Sequence, residues 1–363
     1  MPGNTFGHML RLTTFGESHG QSIGGILDGV PPGLHLCEAD LQKELDLRKP
    51  GQGATSTSRV EADIVHIQSG LFEGMTTGTP IAFLIANTNQ HSKDYDNLAK
   101  VFRPGHADYT YFQKYLGIRD HRGGGRASGR ETAARVAAGA IAAKMLAGIG
   151  VEIMAASVEL GGIPVDQENC DLSGALARPY FAASDQVIEL WDQAVYEARK
   201  AQDTLGGVVQ IEAKHVPAGL GEPVFDKLSA MLGHGLLSVG AVKGIEFGDG
   251  FTSARRRGSQ NNDLLLAADT PGGSVRFASN HAGGILGGIS SGQDIVIRCA
   301  VKPIASVPRP QKTVDISGNA CEITISGRHD LSAIPRIVPV LKAMTSLVLA
   351  DAWLMQQAIC SSL

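Results

Sequence analysis

Residues 121–130, with the sequence HRGGGRASGR, are the strongest candidate for a ligand-binding segment in this chain. Backbone N–H groups of a glycine-rich turn and of a helix start form a positive concavity, and guanidinium groups add paired donors for phosphate or carboxylate. The segment therefore predicts an anionic ligand. Two alternatives stay open at this point: solvated arginines around a capped helix, or an RNA-binding segment, which is usually repetitive.

The FGESHG segment at residues 15–20 is compatible with two catalytic roles, a serine nucleophile or proton transfer by histidine. Its G-x-S-x-G spacing is that of the nucleophile elbow of α/β-hydrolases, in which a helix follows the serine directly. Residues 21–33 are instead typical of strand and turn, which disfavours a hydrolase. Because histidine changes its charge near neutral pH, His19 together with Glu17 favours proton transfer.

The RPGHAD segment at residues 103–108 places His106 on a turn. Arg103 and Asp108 lie near enough in sequence to tune the charge of the imidazole. A structural histidine is the alternative for this residue, as for any lone histidine. The pattern by itself indicates a candidate acid or base.

A second cluster, GRHD at residues 327–330, precedes a predicted helix. Its last residue, Asp330, suits an acid/base or anion-binding role, and capping of that helix explains it equally well. Two polar loops, at residues 48–59 and 302–306, are further candidates because binding residues are common on loops.

Alternating short strands and helices must position these segments. The patterns predict strands over 8–15, 22–30, 63–70, 80–87, 151–161, 207–216, 242–247, 294–301 and 321–325. They predict helices over 39–48, 131–149, 184–202 and 337–358. Ser128 and Glu131 are spaced as a capping box, which predicts a helix start at Ser128. The irregular alternation favours an α+β fold with antiparallel sheets.

Composition narrows the class of protein. The 363 residues are 43% hydrophobic and 19% charged, which excludes a largely disordered chain, and the net charge of −4 gives no global attraction to nucleic acid or membranes. The five cysteines are scattered, so neither a disulfide frame nor a metal site is expected. Without a signal-peptide pattern or a run of about 18 apolar residues, we expect a cytoplasmic protein that does not span a membrane.

One faint repeat bears on domain organisation. GGILDGVPPGL at residues 24–34 and GGVVQIEAKHVPAGL at residues 206–220 each precede a helical pattern. No Pro-rich or Ser-rich linker divides the chain. We therefore expect one domain over residues 1–363, with two related halves as an alternative reading.

Five segments in a fixed order resemble the signatures of the chorismate synthase family: FGESHG, RPGHAD, RGGGRASGRE, SNHAGGILGGISSG at residues 279–292, and GRHD. The match spans nearly the whole chain, although residues 163–205 carry no family pattern. The resemblance implies a β-α-β sandwich, with two antiparallel four-stranded sheets between helices, assembled as a homotetramer.

The same resemblance implies a reaction. Phosphate and a ring hydrogen leave 5-enolpyruvylshikimate 3-phosphate in a 1,4-elimination that gives chorismate, the final step of the shikimate pathway. It implies reduced FMN, which lends electron density and recovers it without net oxidation, and NADPH as a candidate reductant. The absence of a Walker A motif and of G-x-G-x-x-G agrees with a site unlike the common nucleotide folds.

Residue roles follow from the resemblance, motif by motif. His19 resembles the acid near the leaving phosphate, and His106 the group that protonates the reduced flavin. Ser18 and Asp330 resemble the pair that assists proton removal. The substrate anions are implied to bind Arg48, Arg130 and Arg336. Arg48 is also implied to interact with NADPH. FMN contacts are implied for Arg126, Ala127, Ser128, Gly240, Ala241, Gly287, Lys302, Pro303, Ile304, Ala305, Ser306 and Arg328.

The chain departs from the family pattern at several positions. Ala54 replaces an arginine, which weakens the expectation of nicotinamide phosphate binding, and Ile304 replaces a threonine whose hydroxyl would serve FMN. Ala127, Gly129 and Gly240 replace more usual residues. None of these changes removes a proposed catalytic residue.

Overall fold

The computed structural model describes residues 3–49, 55, 61–88, 99–120, 123–268, 275–325 and 329–360. Ala54, Arg328 and most of the 48–59 loop lie outside the described residues, so the predictions made for them stay predictions. The other segments that the sequence singled out can be located in the fold, apart from residues 121 and 122.

The first part of the chain forms a five-stranded antiparallel sheet with the order β1-β2-β3-β7-β4. Apolar residues alternate along its strands, which buries one face of the sheet. The strands up to residue 86, including a short hairpin of β5 and β6, are β1 Thr5–Phe6, β2 Arg11–Gly16, β3 Ser22–Asp28, β4 Val65–Ile67, β5 Leu71–Phe72, β6 Met75–Thr76 and β7 Ile81–Ala86.

The second part forms another five-stranded antiparallel sheet, with the order β11-β16-β10-β8-β9. Its strands and three further hairpins are β8 Glu152–Leu160, β9 Ile163–Pro164, β10 Gly207–Lys214, β11 Val242–Phe247, β12 Leu265–Leu266, β13 Arg276–Phe277, β14 Ile285–Leu286, β15 Ile289–Ser290, β16 Ile295–Val301, β17 Gln311–Val314 and β18 Ala320–Ile323. A duplication that relates the two halves stays a prediction.

Several of the helices pack against the two sheets. The α-helices are α1 Glu38–Arg48, α2 Asp108–Lys114, α3 Thr132–Ala147, α4 Ile188–Lys200, α5 Leu228–Leu237, α6 Gly258–Asn261 and α7 Ile334–Ile359. Helix α3 contacts β2, β3 and β7, α7 contacts β8 and β10, and the two helices pack against each other. Short 3-10 helices cover Gly125–Ala127, Gly129–Glu131, Gln167–Asn169, Ala175–Ala177, Pro179–Phe181 and Gly250–Arg255.

Helix α7 is long and apolar enough, by length and composition, to cross a membrane. In this fold 83% of its most apolar window is buried inside the protein. The apolar surface of α7 is therefore covered by α3, α5 and the second sheet, as in the core helix of a globular domain.

The fold confirms the mixed α and β class and the antiparallel pairing. The expectation of four strands in each sheet is wrong, because a two-residue edge strand extends each sheet to five: β1 beside β2, and β9 beside β8. Helices α2 and α6 had not been predicted, and the helical pattern noted after residue 220 corresponds to α5. The other predicted elements have counterparts within a few residues of their expected bounds.

The predicted capping box at Ser128 and Glu131 is also wrong. The Ser128 hydroxyl accepts a hydrogen bond from the backbone N–H of Arg130 at 3.3 Å, so it caps a 3-10 turn. The Glu131 carboxylate pairs with Arg135 at 3.0 Å instead of turning back to the Ser128 backbone. The α-helix consequently begins at Thr132 rather than at Ser128.

Candidate functional site

Three consecutive glycines bring two of the predicted histidines together. Gly123 and Gly124 both have positive φ, +66° and +99°, a conformation that side chains disfavour. A Cβ atom at Gly123 would overlap the His19 ring, and one at Gly124 would lie 2.9 Å from Cε1 of His106. The glycine-rich turn therefore lies directly against both imidazoles.

The FGESHG loop follows β2 and holds its catalytic candidates out of solvent. Ser18 and His19 are 4% and 6% exposed, and the Ser18 hydroxyl lies 3.2 Å from Nδ1 of His19. The turn is closed by a hydrogen bond of 3.0 Å from the Gly20 N–H to the Glu17 carbonyl. Because strand β3, and not a helix, begins at Ser22, the loop lacks the geometry of a nucleophile elbow.

The RPGHAD turn contains a buried ion cluster around Asp108. Arg103 donates to both oxygens of the Asp108 carboxylate, at 2.7 and 2.8 Å, and Nη1 of Arg119 lies 3.3 Å from one of them. Nδ1 of His106 lies 3.2 Å from Asp108 and 3.0 Å from Nη2 of Arg103. Arg103 and Asp108, which lie close to His106 in the sequence, therefore both contact its imidazole ring; tuning of its charge by them stays a prediction.

Opposing effects act on the pKa of Asp108. Burial raises it, and hydrogen bonds from Arg103 and from His106 lower it by more. The net pKa lies well below the usual range of an aspartate, so the carboxylate stays ionised and anchors the turn.

Arg48 lies at the centre of a second cluster, fully inside the protein at 1% exposure. Its Nη1 donates to Asp63 at 2.8 Å, its Nε to the Thr132 hydroxyl at 3.0 Å, and its Nη2 to the Gly129 carbonyl at 2.8 Å. Burial, and then the nearby charge of Arg336, lower the pKa of Arg48 to about 10. The guanidinium thus ties α1 to the turn that starts α3.

Arg130 joins this cluster to the FGESHG loop. Its Nη1 pairs with Asp63 and lies 2.6 Å from Glu61, and its Nε donates to Oδ1 of Asn87 at 2.8 Å. The side-chain amide of Asn87 in turn donates to the carbonyls of Glu17 and Gly20, both at 2.9 Å. A continuous chain of hydrogen bonds therefore runs from the buried arginines to the loop of Ser18 and His19.

Asp330 and Arg336 form an ion pair beside the same cluster. The pair distance is 2.5 Å, and Nε of Arg336 donates to the Arg48 carbonyl at 3.3 Å. The N-cap of α7 is Ala333, so Asp330 does not cap this helix. The helix-cap alternative for Asp330 is thereby removed.

The 240–241 and 302–306 segments, both predicted to contact a cofactor, meet at the end of β16. The Lys302 N–H donates to the Ala241 carbonyl at 2.9 Å, and its ammonium donates to the Gly105 carbonyl at 3.1 Å. The carbonyl of Ile304 accepts a hydrogen bond of 2.8 Å from Thr204. These contacts place the 302–306 loop beside the turn of His106.

Arg126 fixes the glycine-rich segment to β2 rather than pointing into solvent. Its guanidinium donates to the carbonyls of Gly16 and Thr14, at 3.1 and 3.2 Å, and to the Thr14 hydroxyl at 2.6 Å. All three of these acceptors are uncharged. The solvated-arginine alternative for this residue is wrong.

Arg126 also borders a cavity of about 1180 Å³. The walls combine aromatic side chains with charged ones of both signs, which include Phe15, Tyr111, Tyr115, Lys114, Arg119, Arg135, Glu17, Asp120 and Glu131. Cavities for small-molecule cofactors are commonly of this order of size and are lined by apolar groups with a few polar ones. The aromatic walls suit a flat ligand.

Gly287, another predicted cofactor contact, lies in the turn of the β14–β15 hairpin, next to the start of α5. Its hairpin neighbour Gly288 accepts a hydrogen bond of 2.7 Å from the N–H of Leu228, at the start of α5. Gly240 lies beyond the opposite end of that ten-residue helix, roughly 15 Å away at 1.5 Å per residue. Its role in this site stays a prediction.

Three residues of the site were missed by sequence reasoning: Glu61, Asp63 and Asn87. None of them belongs to a recognisable motif, and their importance depends on pairing with residues far away in the chain. Asp63 has a positive φ of 48°, which no local pattern indicated. Among the described residues, no group of three or more His, Cys, Asp or Glu side chains could hold a metal ion.

Comparisons with known proteins agree with this geometry. The family model described as chorismate synthase matches residues 10–354. Chorismate synthases from Desulfovibrio desulfuricans and Nitratidesulfovibrio vulgaris strain DP4 are 68% and 57% identical over 358 and 357 residues, in each case 98% of both chains. A solved structure described as "Crystal Structure of Chorismate Synthase" is 31% identical, with a TM-score of 0.77 over 96% of this chain and 93% of the other.

Proposed function

This chain belongs to the chorismate synthase family, and from that premise we propose how its own residues carry out the reaction. Members are lyases that eliminate phosphate from 5-enolpyruvylshikimate 3-phosphate to give chorismate, the last step of the shikimate pathway, with reduced FMN. The observation that supports the site assignment best is the contact of one glycine-rich turn with His19 and His106.

The residues around this turn fit an anionic flavin. The Arg126 guanidinium and the Lys302 ammonium donate to uncharged carbonyls, and the neighbouring cavity has aromatic walls with charged side chains of both signs. Reduced FMN supplies electron density that helps the phosphate leave. We assign its binding to Arg126, Ala127, Ser128, Gly240, Ala241, Lys302, Pro303, Ile304, Ala305, Ser306 and Arg328.

His19 is assigned to the leaving phosphate. When the Ser18 hydroxyl donates a hydrogen bond to Nδ1, a neutral imidazole carries its own proton on Nε2. That nitrogen can then donate to a phosphate oxygen as the C–O bond breaks. Because both side chains are buried, this interaction operates in a region of low dielectric constant, where it is stronger than in water.

His106 is assigned to proton transfer at the cofactor. The Asp108 carboxylate, 3.2 Å from its Nδ1, orients the ring, while Arg103 holds that carboxylate in place. The 302–306 loop adjoins this turn through Lys302 and Gly105. His106 therefore stands where a proton could pass to a group held by that loop.

Ser18 and Asp330 are assigned to removal of the ring hydrogen. Ser18 lies in the loop against Gly123, and Asp330 is held by Arg336 at 2.5 Å. The Arg336 guanidinium thus fixes the position of the carboxylate that we assign as proton acceptor.

Arg48, Arg130 and Arg336 are assigned to the substrate anions. Asp63 and Glu61 already offset the charges of the two buried arginines, so direct contact with substrate requires those pairs to open. The Arg336 side chain is 28% exposed, which makes it the most accessible of the three. We propose that Arg336 contacts the substrate first and that Arg48 and Arg130 support the surrounding loops.

An anaerobic assay tests the proposed function. Purified protein, reduced FMN and 5-enolpyruvylshikimate 3-phosphate are expected to release inorganic phosphate and chorismate in equal amounts, with a change in the flavin spectrum when substrate is added. Absence of both products under these conditions would refute the assignment. The hydrolase hypothesis predicts instead that Ser18 reacts with an organophosphate probe.

Assembly, location and flavin reduction are proposals as well. We expect a homotetramer in the cytoplasm, and light scattering should give four times the mass of one chain. NADPH is a candidate reductant of the flavin, and NADPH oxidation by the protein in the presence of FMN would support that role.

A further inference from the structure

Asn87 makes an unusual set of contacts for a residue outside every sequence motif. It directly follows β7, a central strand of the first sheet. Its Nδ2 donates to the carbonyls of Glu17 and Gly20, both at 2.9 Å, and its backbone N–H donates to the Gln21 carbonyl at 3.0 Å. Its Oδ1 accepts from Arg130 at 2.8 Å.

The two carbonyls that Asn87 binds belong to Glu17 and Gly20, the residues directly before Ser18 and directly after His19. With both ends of the turn bound to one amide, the backbone of the intervening residues has little freedom to rotate. Strand β7 is paired on both sides, with β3 and β4, so the amide is itself held by a rigid element. The arrangement is that of a catalytic loop preorganised by a supporting side chain.

We propose that Asn87 is a positioning residue for the elimination reaction: it orients His19 and Ser18 through the backbone of their loop. This inference rests on the proposed function of that loop. Asn87 contacts no reacting group in this assignment, so its effect should appear in turnover rather than in substrate binding.

The substitution Asn87→Asp tests the donor function of the Asn87 side chain separately from its acceptor function. An aspartate has the same shape and retains an acceptor for Arg130, but its oxygens would face the carbonyls of Glu17 and Gly20 without a proton to donate. Asn87→Ala removes both the donations and the acceptor for Arg130, without adding a charge. Asn169→Asp is the matched control, because Asn169 is exposed and lies in a 3-10 helix outside the site.

We expect Asn87→Asp and Asn87→Ala to lower kcat about 10²-fold, as a displacement of roughly 1 Å at a reacting group does, with KM changed less than threefold. The pH profile of kcat should shift on the limb set by His19. Hydrogen exchange of the backbone amides over residues 15–22 should become faster in both variants. Asn169→Asp should leave all three measurements unchanged.

Wild-type turnover separates failure of this inference from failure of the proposed function. If the wild type forms chorismate and both Asn87 variants keep its kcat and pH profile, the positioning role is refuted. Loss of folding in both variants, seen by circular dichroism, would assign Asn87 to stability and also overturn it. An inactive wild type would count against the proposed function instead.

Discussion

Gly123 and His19 are in such close contact that a single methyl group on the glycine would overlap the imidazole ring. The two residues are more than a hundred positions apart, and they come from segments that each looked like a separate motif. Their contact makes the glycine-rich turn one wall of the histidine site. A glycine is therefore required at position 123 for two reasons: the His19 ring leaves no room for a side chain, and the backbone has a positive φ.

Gly123→Ala should therefore abolish most activity. The added methyl group must displace His19 or the turn, and a displacement of roughly 1 Å at a catalytic group costs about 10²-fold in kcat. Chorismate formation measured anaerobically tests this. Gly162→Ala is the matched control, since Gly162 has a similar φ of +83° with no atom within 4 Å of its Cβ position. Equal kcat values for the two variants would count against the contact.

His106→Ala should lower turnover about 10²–10⁴-fold, the usual contribution of a general acid or base. The residue lies against Gly124 and is oriented by Asp108, so the variant loses the proton-transfer group without opening the core. His66→Ala, at a side chain that is 59% exposed, should behave as the wild type. Unchanged turnover in His106→Ala would reject the role.

Asp108→Asn should change how stability depends on pH. The pKa of Asp108 in the folded protein lies well below the unfolded value of about 3.9. The ionised carboxylate therefore contributes its full stability above about pH 4 and loses it as the pH falls toward the folded-state pKa. The difference in free energy of unfolding between wild type and variant should be largest at neutral pH and shrink below about pH 4.

Chemical denaturation at several pH values measures this difference. Asp185→Asn serves as the control, because its carboxylate pairs with Arg178 but is 78% exposed. Exposed pairs contribute about 0–1 kcal/mol, so that control should show little difference at any pH. A pH-independent effect of Asp108→Asn would show that its ionisation is not the cause.

Asp63→Ala should be strongly destabilising. Removing the carboxylate leaves the buried charges of Arg48 and Arg130 without this partner, and loss of one partner of a buried pair costs about 3–5 kcal/mol. Denaturant unfolding measures the loss. Asp28→Ala removes a carboxylate from an exposed pair with Arg11 and should cost at most about 1 kcal/mol. A similar cost for both variants would contradict the importance of burial.

Much of the fold was predictable because its signals are local. Alternating apolar residues indicate strands such as β7, and the Ala-rich run after Glu131 indicates α3. Both patterns depend only on residues that are close together in the sequence. Edge strands of two residues, such as Thr5–Phe6, carry too short a pattern to detect. The start of α3 at Thr132 could not be predicted, because the Glu131 side chain pairs with Arg135 and not with the Ser128 backbone.

The sequence by itself determined the family, the order of the motifs and the candidate histidines, because these are properties of residue type and spacing. Only the tertiary structure decided which candidates meet: Gly123 lies on His19, and Asn87 holds the loop of Ser18. It also decided that Arg48 and Arg130, predicted as anion binders, face the internal carboxylates of Glu61 and Asp63. Charge pairing inside a protein depends on distances between remote segments, and no local pattern encodes those distances.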